Sequence, residues 1–522
     1  MVTHKTNEVT ITRIDVGKDQ VHLSDGRVID HPVRSRKRSP KTEPSANLST
    51  DPLARFSLIL SNPESYRLFD HITIGTTSHG GSPGVYPRQM FSLIYALQNA
   101  FASQSAISQA LKFKICLNVV TQMLTNTLPT VPPDDRVRIK KWLLKPTTPS
   151  PSRISRMFRT LEDRGANQHD ALREQGIRLS LEDNRFSRAN KIHSKRNQIV
   201  GDGTVLKAAT SHPGGEVVDF ATGEIRARRT DSLSQEHTEG GGDQTYGTKF
   251  ALIWSAGPHR HDTIALGASF VNSPSPQKEA DAAIALVQQV QADLKNKDAA
   301  ASVLAYDRAA GRKEQEALNN VGIVLATRAI MDNAPDDTSH HRKPKSIGHI
   351  TAPCGVTHYF AAIQKRLHQV IKDVGGKSTY IPVDHIQRPK STGGRTFHYT
   401  EHPYECTCEI GATHVLRISW NGRKSALASS KNSIKLAGDK GYDNMLRYLQ
   451  PHSPDSDEFA EISGTRQTAE AMHSIMDQML PFKRLQRWTL GSKESWVFGY
   501  LIGHNLVHQQ LRRERIPGTL AA

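Results

Sequence analysis

The feature that most constrains the fold is a series of short apolar runs in the centre of the chain. Four such runs, rich in Val, Ile, Leu and Ala and bounded by turn residues, occupy residues 197–210, 249–256, 263–271 and 301–307. An amphipathic stretch at 277–295 separates the last two, and a second helical stretch at 312–320 leads to a further apolar run at 321–327. Runs of this length indicate strands. Strands in direct succession, followed by strands that alternate with helices, predict an α/β core with a mixed sheet flanked by helices.

The rest of the chain divides by composition. Residues 9–31 alternate apolar and polar residues, which predicts a small strand pair, and residues 32–50 form a basic linker rich in Pro and Ser. Residues 331–440 lack a clear period and predict an insertion. We therefore predict a strand pair with its linker, a mainly helical DNA-binding region, the first part of the core, the insertion and C-terminal helices, over residues 1–50, 51–185, 186–330, 331–440 and 441–522.

The net charge points to a polyanionic partner. Lys and Arg number 68 against 51 Asp and Glu, which gives the 522-residue chain a formal charge of +17. A basic surface commonly neutralises phosphates. The four cysteines are too few for a disulfide scaffold in a chain of this length and suit a reducing interior. The sequence has no apolar run near the roughly 18 residues of a membrane span, so we expect no membrane partner.

Three acidic residues lie where phosphate chemistry can use them. Asp202 falls within a strand-like run between two glycines, whose small size leaves room for an ion or a phosphate. Asp307 ends an apolar run, and ligand sites of open α/β sheets commonly lie at that edge. Glu470 lies in a predicted helix over residues 465–480. Carboxylates are hard ligands for Mg²⁺, and two such ions about 3.5–4 Å apart can assist both oxygens of a phosphoryl transfer.

The helix over residues 465–480 also has a structural interpretation. Arg466, Glu470, His473 and Asp477 share one face by their spacing of one and two turns. Arg466 can therefore simply pair with Glu470. An acid on a helix or at a strand end is usually solvated or salt-bridged. The functional interpretation depends on the three acids occurring together and in this order.

The segments around these acids carry a resemblance. They read GDGTVLKA, YDRAAGRKEQEALNNVGIVLATRA and SGTRQTAEAMHSIMDQMLPFKRLQRWTLGSKESWVFGYLIGHNLVHQQL. In this order they resemble the first-strand motif, the second-aspartate motif and the terminal segment of the DDE transposases of bacterial insertion sequences, whose catalytic domain has an RNase H-like fold. In that terminal segment an Arg and a Glu lie one helical turn apart, and a long helix ends in His-Asn. The resemblance covers residues 197–330 and 441–512.

The resemblance implies a transposase that binds the ends of an insertion sequence and catalyses DNA cleavage and strand transfer. It implies that Asp202, Asp307 and Glu470 are catalytic and hold Mg²⁺ or Mn²⁺, with Asp439 in the segment DKGY as an alternative second acid. The implied partners are double-stranded DNA and, on DNA, further copies of the chain, in a cytoplasmic, nucleoid-associated protein. Two alternatives stay open, namely a metal-dependent nuclease without strand transfer and a degenerate transposase that only binds DNA.

Several residues outside the acids are candidates for DNA contact. Two helices joined near residues 112–115 are similar to a helix-turn-helix, with Asn118, Thr121 and Gln122 on an exposed face, although a plain helical hairpin fits the pattern equally well. Basic residues also flank the three acids. For these we predict phosphate contacts, and they are Arg188, Lys195, Arg196, Arg466, Lys483, Arg484, Arg487 and Lys493.

The insertion contains a candidate structural Zn²⁺ site. Its ligands would be Cys354, His358, Cys406 and Cys408, with His414 as a substitute. Four thiolate and imidazole ligands suit a tetrahedral zinc ion, although the Cys-x-Cys spacing is tighter than the usual Cys-x2-Cys. Reduced free cysteines are the alternative.

Overall fold

The computed structural model divides the chain into two units, Met1–Asn47 and Leu48–Ala522. It describes residues 11–15, 20–23, 28–30, 51–70, 86–163, 167–190, 194–210, 216–218, 225–227, 231–238, 244–257, 262–306, 314, 317–318, 320–327, 345–351, 357–363, 366–372, 376–385, 390–394, 397–407, 413–420, 435–436 and 457–515. None of the helices in these ranges combines the length and the apolar character that a membrane span requires.

Three short antiparallel strands are described in the first unit. They are β1 (Ile11–Asp15), β2 (Gln20–Leu23) and β3 (Val28–Asp30), in the order β1-β2-β3. The sequence analysis predicted two strands here, whereas the structure has three. Strands of three and four residues are too brief to separate by alternation alone. The basic linker at residues 32–50 lies outside the described residues.

The elements described between residues 51 and 185 are all helical. Several begin at a side chain that accepts a backbone N–H; the hydroxyl of Ser103, for example, accepts from Ala106 at 3.1 Å. Short 3-10 helices cover Pro63–Tyr66 and Leu97–Asn99. The α-helices are α1 (Pro52–Ser61), α2 (Arg88–Ala96), α3 (Gln104–Leu111), α4 (Lys114–Thr127), α5 (Pro133–Leu144), α6 (Pro151–Asp163) and α7 (Gln168–Glu182).

The centre of the second unit is a mixed sheet flanked by helices, which confirms the predicted α/β class. Its elements are β4 (Gln198–Ala208), a separate hairpin of β5 (Glu216–Val218) and β6 (Ile225–Ala227), β7 (Gln235–Thr238), β8 (Gln244–Ser255), β9 (Ile264–Val271), α8 (Pro276–Lys295), β10 (Val303–Tyr306) and β11 (Val324–Thr327). Strand β4 lies centrally. It pairs antiparallel with β8 and parallel with β10, which pairs parallel with β11, while β7 and β9 pair antiparallel with β8.

The predicted insertion is built from antiparallel strands. One sheet has the order β15-β14-β13-β12-β20, and in the other β16, β17 and β19 pair with β18. Alternation in these segments is obscured by their His, Lys and Gly content, so the sequence analysis did not predict them. The strands are β12 (Lys345–Thr351), β13 (Thr357–Ile363), β14 (Arg366–Lys372), β15 (Ser378–Pro382), β16 (Asp384–His385), β17 (Lys390–Gly394), β18 (Phe397–Thr407), β19 (Thr413–Trp420) and β20 (Lys435–Leu436).

Two long helices close the chain, α9 (Asp457–Gln478) and α10 (Leu490–Arg515), with the short strand β21 (Arg484–Leu485) between them. Helix α10 is joined to the sheet by Asn505, which is fully buried. Its side-chain oxygen accepts the Ala265 N–H at 2.8 Å and its amide donates to the Ala265 carbonyl at 3.0 Å. These two bonds satisfy backbone groups of β9 that would otherwise be costly to bury.

The two faces of the sheet pack against different helices. Val200 and Leu206 of β4 belong to a core that also contains buried residues of α9 and α10. Ile199, which alternation places on the opposite face, packs with Ile284 and Val287 of α8. Asp202 has the parity of Val200, so its Cα–Cβ bond points to the α9 face.

Candidate active site

Asp202 lies in the middle of β4, opposite Leu252 of β8. Its side chain is 14% exposed, and its carboxylate accepts the N–H of Gly203 at 3.1 Å. Pairing with β8 holds the backbone of Asp202 on one side, whereas the pairing of β4 with β10 covers Gln198–Val200. Asp202 therefore has the rigid support that a metal ligand requires.

The space beside Gly201 and Gly203 is used differently from the way we predicted. A Cβ on Gly201 would lie 2.8 Å from the Tyr306 ring, and a Cβ on Gly203 would lie 2.2 Å from the carboxyl carbon of Glu279. The space next to these glycines is thus filled by the protein's own side chains. The prediction that it accommodates an ion or a phosphate is wrong, since both glycines face α8.

A buried polar network occupies that α8 face. The Glu279 carboxylate lies 2.5 Å from the Lys249 ammonium and accepts the Tyr306 hydroxyl at 2.8 Å. The Glu279 and Lys249 side chains are 9% and 12% exposed, and Tyr306 is fully buried. Sequence reasoning missed this network, because Lys249, Glu279 and Tyr306 lie on three different elements and share no motif.

Helix α9 lies on the other side of the sheet from α8 and carries the residues that we predicted to share one helix face. Arg466 and Glu470 form an ion pair at 3.0 Å, and their side chains are 14% and 52% exposed. His473 lies one turn further along and is buried. Burial, together with the nearby charge of Arg466, lowers the pKa of His473 to about 4.

His473 connects α9 to Asp202. Its Nδ1 lies 3.7 Å from the Asp202 carboxylate, and its Nε2 has no hydrogen-bond partner in the described part of the chain. With a pKa near 4 the imidazole is neutral at pH 7, so this contact is not an ion pair. Glu470 precedes His473 by three residues on the same helix, which brings its backbone to the same helix–strand contact. The structure thus places Glu470 one helical turn from the residue that contacts Asp202.

The second acid lies outside the described residues, as does its alternative Asp439. Strand β10 ends at Tyr306, the residue before Asp307, and Ala305 pairs with Val200. Among the described residues no group of three His, Cys, Asp or Glu side chains could hold a metal ion. The two described acids nevertheless fit Mg²⁺ by their chemistry, because both supply hard carboxylate oxygens and Glu470 is half exposed.

The predicted DNA-facing basic residues fall into two groups. Arg484 donates to the carbonyl oxygens of Ala208 and Thr210 at 2.9 and 3.2 Å, and Lys493 forms a fully buried ion pair with Asp231 at 2.6 Å. The phosphate contact predicted for Lys493 is wrong, since its side chain is 1% exposed. Arg487 is half-buried, and burial lowers its pKa.

Basic residues that flank the sheet are more accessible. Arg188 is exposed and pairs with Asp298 at 3.0 Å. Arg196 and Lys483 are exposed, and Lys195 is half-buried. These side chains remain candidates for phosphate contact, because surface pairs and solvated cations exchange water for phosphate at little cost.

The predicted helix-turn-helix corresponds to α3 and α4. Asn118 and Gln122 are exposed, and the Thr121 hydroxyl donates to the Leu117 carbonyl at 2.8 Å. Thr121 is thereby engaged within the helix, whereas the other two side chains face solvent.

Two of the four predicted zinc ligands lie within the described residues of the insertion, on different sheets. His358 lies on β13, where it is buried and its Nδ1 lies 3.0 Å from the Gln369 amide. Cys406 lies on β18 in the other sheet, directly across from His414 on β19. Cys354 and Cys408 lie outside the described residues.

Comparison with known proteins identifies no relative of this chain. Family models, curated proteins and solved structures were each compared with the chain, and none of the three comparisons finds a significant match.

Proposed function

We propose that the chain is a DDE-type transposase that uses Mg²⁺ or Mn²⁺ to cut and join DNA. The observation that carries the proposal is the approach of α9 to the central strand. His473 of α9 lies 3.7 Å from Asp202, and Glu470 lies one turn before it. This proximity of the helix that carries Glu470 to the strand that carries Asp202 supports the arrangement that the transposase resemblance implies.

The sheet supports the same proposal. An RNase H-like core is a mixed sheet whose first strand lies centrally, and β4 is central here, between antiparallel β8 and parallel β10. Asp202 follows Val200 by two residues, and Asp307 follows Ala305, the pairing partner of Val200, by the same number. Equal offsets in paired parallel strands favour Asp307 over Asp439 as the second acid.

The chain's own groups have separate roles in this proposal. Asp202, Asp307 and Glu470 would hold the ions, which when bound activate the attacking oxygen and stabilise the leaving one. Arg466 holds the Glu470 carboxylate through their 3.0 Å pair and would contact a DNA phosphate. Neutral His473 fills the space beside Asp202 without competing for its charge.

The test is metal-dependent cleavage and strand transfer with the full chain. The substrate is a duplex that carries the DNA flanking the coding sequence, including any inverted repeats. We expect Asp202→Ala and Glu470→Ala each to lower cleavage more than about a hundredfold, because even the partners of metal ligands are typically worth 10–100-fold. DNA binding should be almost unchanged. Glu461→Ala, which removes an exposed acid from the same helix, is the matched control and should cleave normally.

Other outcomes separate the alternatives. Cleavage without joining would favour a nuclease, and binding without cleavage by the wild-type protein would favour a degenerate transposase. Activity in Asp307→Ala together with loss of activity in Asp439→Ala would reassign the second acid. Full activity in both Asp202→Ala and Glu470→Ala would contradict the proposed mechanism.

A further inference from the structure

Helix α6 carries a row of arginines that no motif includes. Arg153, Arg156 and Arg159 recur every three residues and are all exposed. On the other side of the helix Ile154 and Phe158 are buried in the core. The buried side fixes the helix on the protein, so the three guanidinium groups form one outward surface, which we call the α6 arginine face.

The arginines of the α6 arginine face form no ion pair in the described part of the chain, although Glu162 and Asp163 follow Arg159 at the end of the helix. In the described part of the chain no carboxylate lies within ion-pair distance of these three arginines, and Arg153 lies over the Tyr86 ring at 5.9 Å. By contrast, Arg178 on α7 pairs with Glu182 at 2.8 Å.

The position of the row on the helix adds a second argument. Like charges one turn apart repel, and the first turn of α6, where the positive end of the helix dipole lies, contains Arg153 and no acid. An arrangement that is mildly unfavourable for folding is explained if an anion binds there.

We propose that the α6 arginine face binds the phosphates of double-stranded DNA without regard to base sequence. Six residues of α-helix span about 9 Å, and phosphates along one strand rise about 3.4 Å each, so the row matches two to three of them. Arginine is suited to this task because its planar fork can bond a phosphate through two N–H groups.

The lack of an exposed aromatic ring on α6 favours duplex over single-stranded DNA. Proteins that bind single strands place aromatic rings against the bases. The one aromatic residue of α6, Phe158, is only 8% exposed, and Tyr86 beneath Arg153 is equally buried. The inference rests on the proposed DNA function for the identity of the polyanion.

The test compares two full-length triple variants with equal loss of charge. One is Arg153→Gln, Arg156→Gln and Arg159→Gln. The control removes three exposed lysines on α8 and directly after it, as Lys278→Gln, Lys295→Gln and Lys297→Gln. Binding of a random-sequence 30-base-pair duplex is measured by fluorescence anisotropy at several salt concentrations. The arginine variant should lower the slope of log K against log salt by about 2 to 3 and weaken binding roughly tenfold or more, because each phosphate contact contributes about 0.9.

The control variant should keep the wild-type slope. Equal losses in the two variants would mean that only net charge matters, and this would overturn the inference, as would an unchanged slope in the arginine variant. Equally strong binding of single-stranded DNA through the same arginines would overturn the assignment to duplex. Melting temperatures close to that of the wild type establish that both variants are folded.

Cleavage by the wild-type protein on the end-containing duplex separates the two proposals. If the wild-type protein cleaves while the arginine variant binds DNA normally, the inference about the α6 arginine face is wrong and the transposase proposal stands. If the arginine variant loses its salt dependence while the wild type never cleaves, the surface stands and the transposase proposal is wrong.

Discussion

The acidic residues on the two faces of the central sheet differ in burial and in their partners. On the α8 face, Glu279 is buried and held by the Lys249 ammonium and the Tyr306 hydroxyl. On the α9 face, Asp202 lies beside an imidazole that is neutral at pH 7, and Glu470 is 52% exposed. The two arrangements flank the same segment of β4.

The difference indicates that Glu279 is structural and that Glu470 is accessible to a ligand. A buried carboxylate with a cation and a hydroxyl donor is satisfied by the fold and has little to gain from a ligand. A half-exposed carboxylate can still be approached by an ion or by DNA. The α8 face therefore stabilises β4, and we expect a ligand to bind on the α9 face.

The largest effect should come from breaking the α8 network. Glu279→Ala leaves the Lys249 ammonium largely buried and deprives the Tyr306 hydroxyl of its acceptor, so we expect the free energy of unfolding to fall by about 3–5 kcal/mol. Glu470→Ala removes a carboxylate that is 52% exposed from its pair with Arg466 and should cost about 1 kcal/mol or less. Urea unfolding of both variants measures the difference.

A double variant controls for simple loss of volume. Glu279→Gln combined with Lys249→Met removes both charges while keeping the side chains close in size, and should recover part of the stability lost in Glu279→Ala. Equal destabilisation by Glu279→Ala and Glu470→Ala would contradict the distinction between the faces.

A pair of glycine substitutions tests the close approach beneath β4. In Gly203→Ala the new Cβ would lie 2.2 Å from the Glu279 carboxyl carbon, so we expect a loss of up to about 3 kcal/mol from displacement of that group. Gly464 lies within α9 and has open space around it. Gly464→Ala should therefore stabilise the protein by about 0.5–1 kcal/mol through helix propensity. Thermal unfolding should separate the two variants in opposite directions, and a tolerated Gly203→Ala would show that Glu279 is not fixed there.

Asp183 is another carboxylate whose interactions are made within the fold, and acid should weaken the stability that it contributes. Burial alone would raise the pKa of Asp183, but the His508 hydrogen bond and the charges of Arg185, His508 and Arg512 outweigh it and lower the pKa from 3.8 to about 2. A depressed carboxyl pKa stabilises the folded state above pH 4, and this contribution, about 2 kcal/mol, is lost as the pH falls from about 4 to 2. Asp183→Asn should unfold with a shallower acid dependence over this range. An identical acid profile would show that Asp183 contributes nothing to it.

The sequence predicted the core because its periodic signals are local. The runs at 197–210, 249–256, 263–271 and 301–307 correspond to β4, β8, β9 and β10, and the stretch at 277–295 corresponds to α8. Each element buries enough apolar surface for its own residues to indicate its type.

The contacts between elements were beyond sequence reasoning. The role of Gly203 depends on Glu279, which is 76 residues away in the chain, and Lys493 pairs with Asp231 across 262 residues. Charge and glycine spacing suggested ligand contacts at both positions, but the fold uses them internally. The Arg466–Glu470 pair was predictable, because one helical turn separates its members.

The smallest effect on stability should come from Arg466→Lys, and it sharpens the comparison on the α9 face. Glu470 is half exposed, although Arg466 is only 14% exposed, and a lysine can still reach that carboxylate, so the free energy of unfolding should change by about 1 kcal/mol or less. If Arg466 grips a DNA phosphate, lysine is a poor replacement because the planar fork is lost, and Mg²⁺-dependent cleavage should fall at least tenfold, roughly the worth of one charged hydrogen bond. Melting temperature and cleavage rate are measured side by side on this one variant. Near-normal cleavage with unchanged stability would assign Arg466 to helix support, and the phosphate contact would then have to come from other residues such as Lys483 or Arg196.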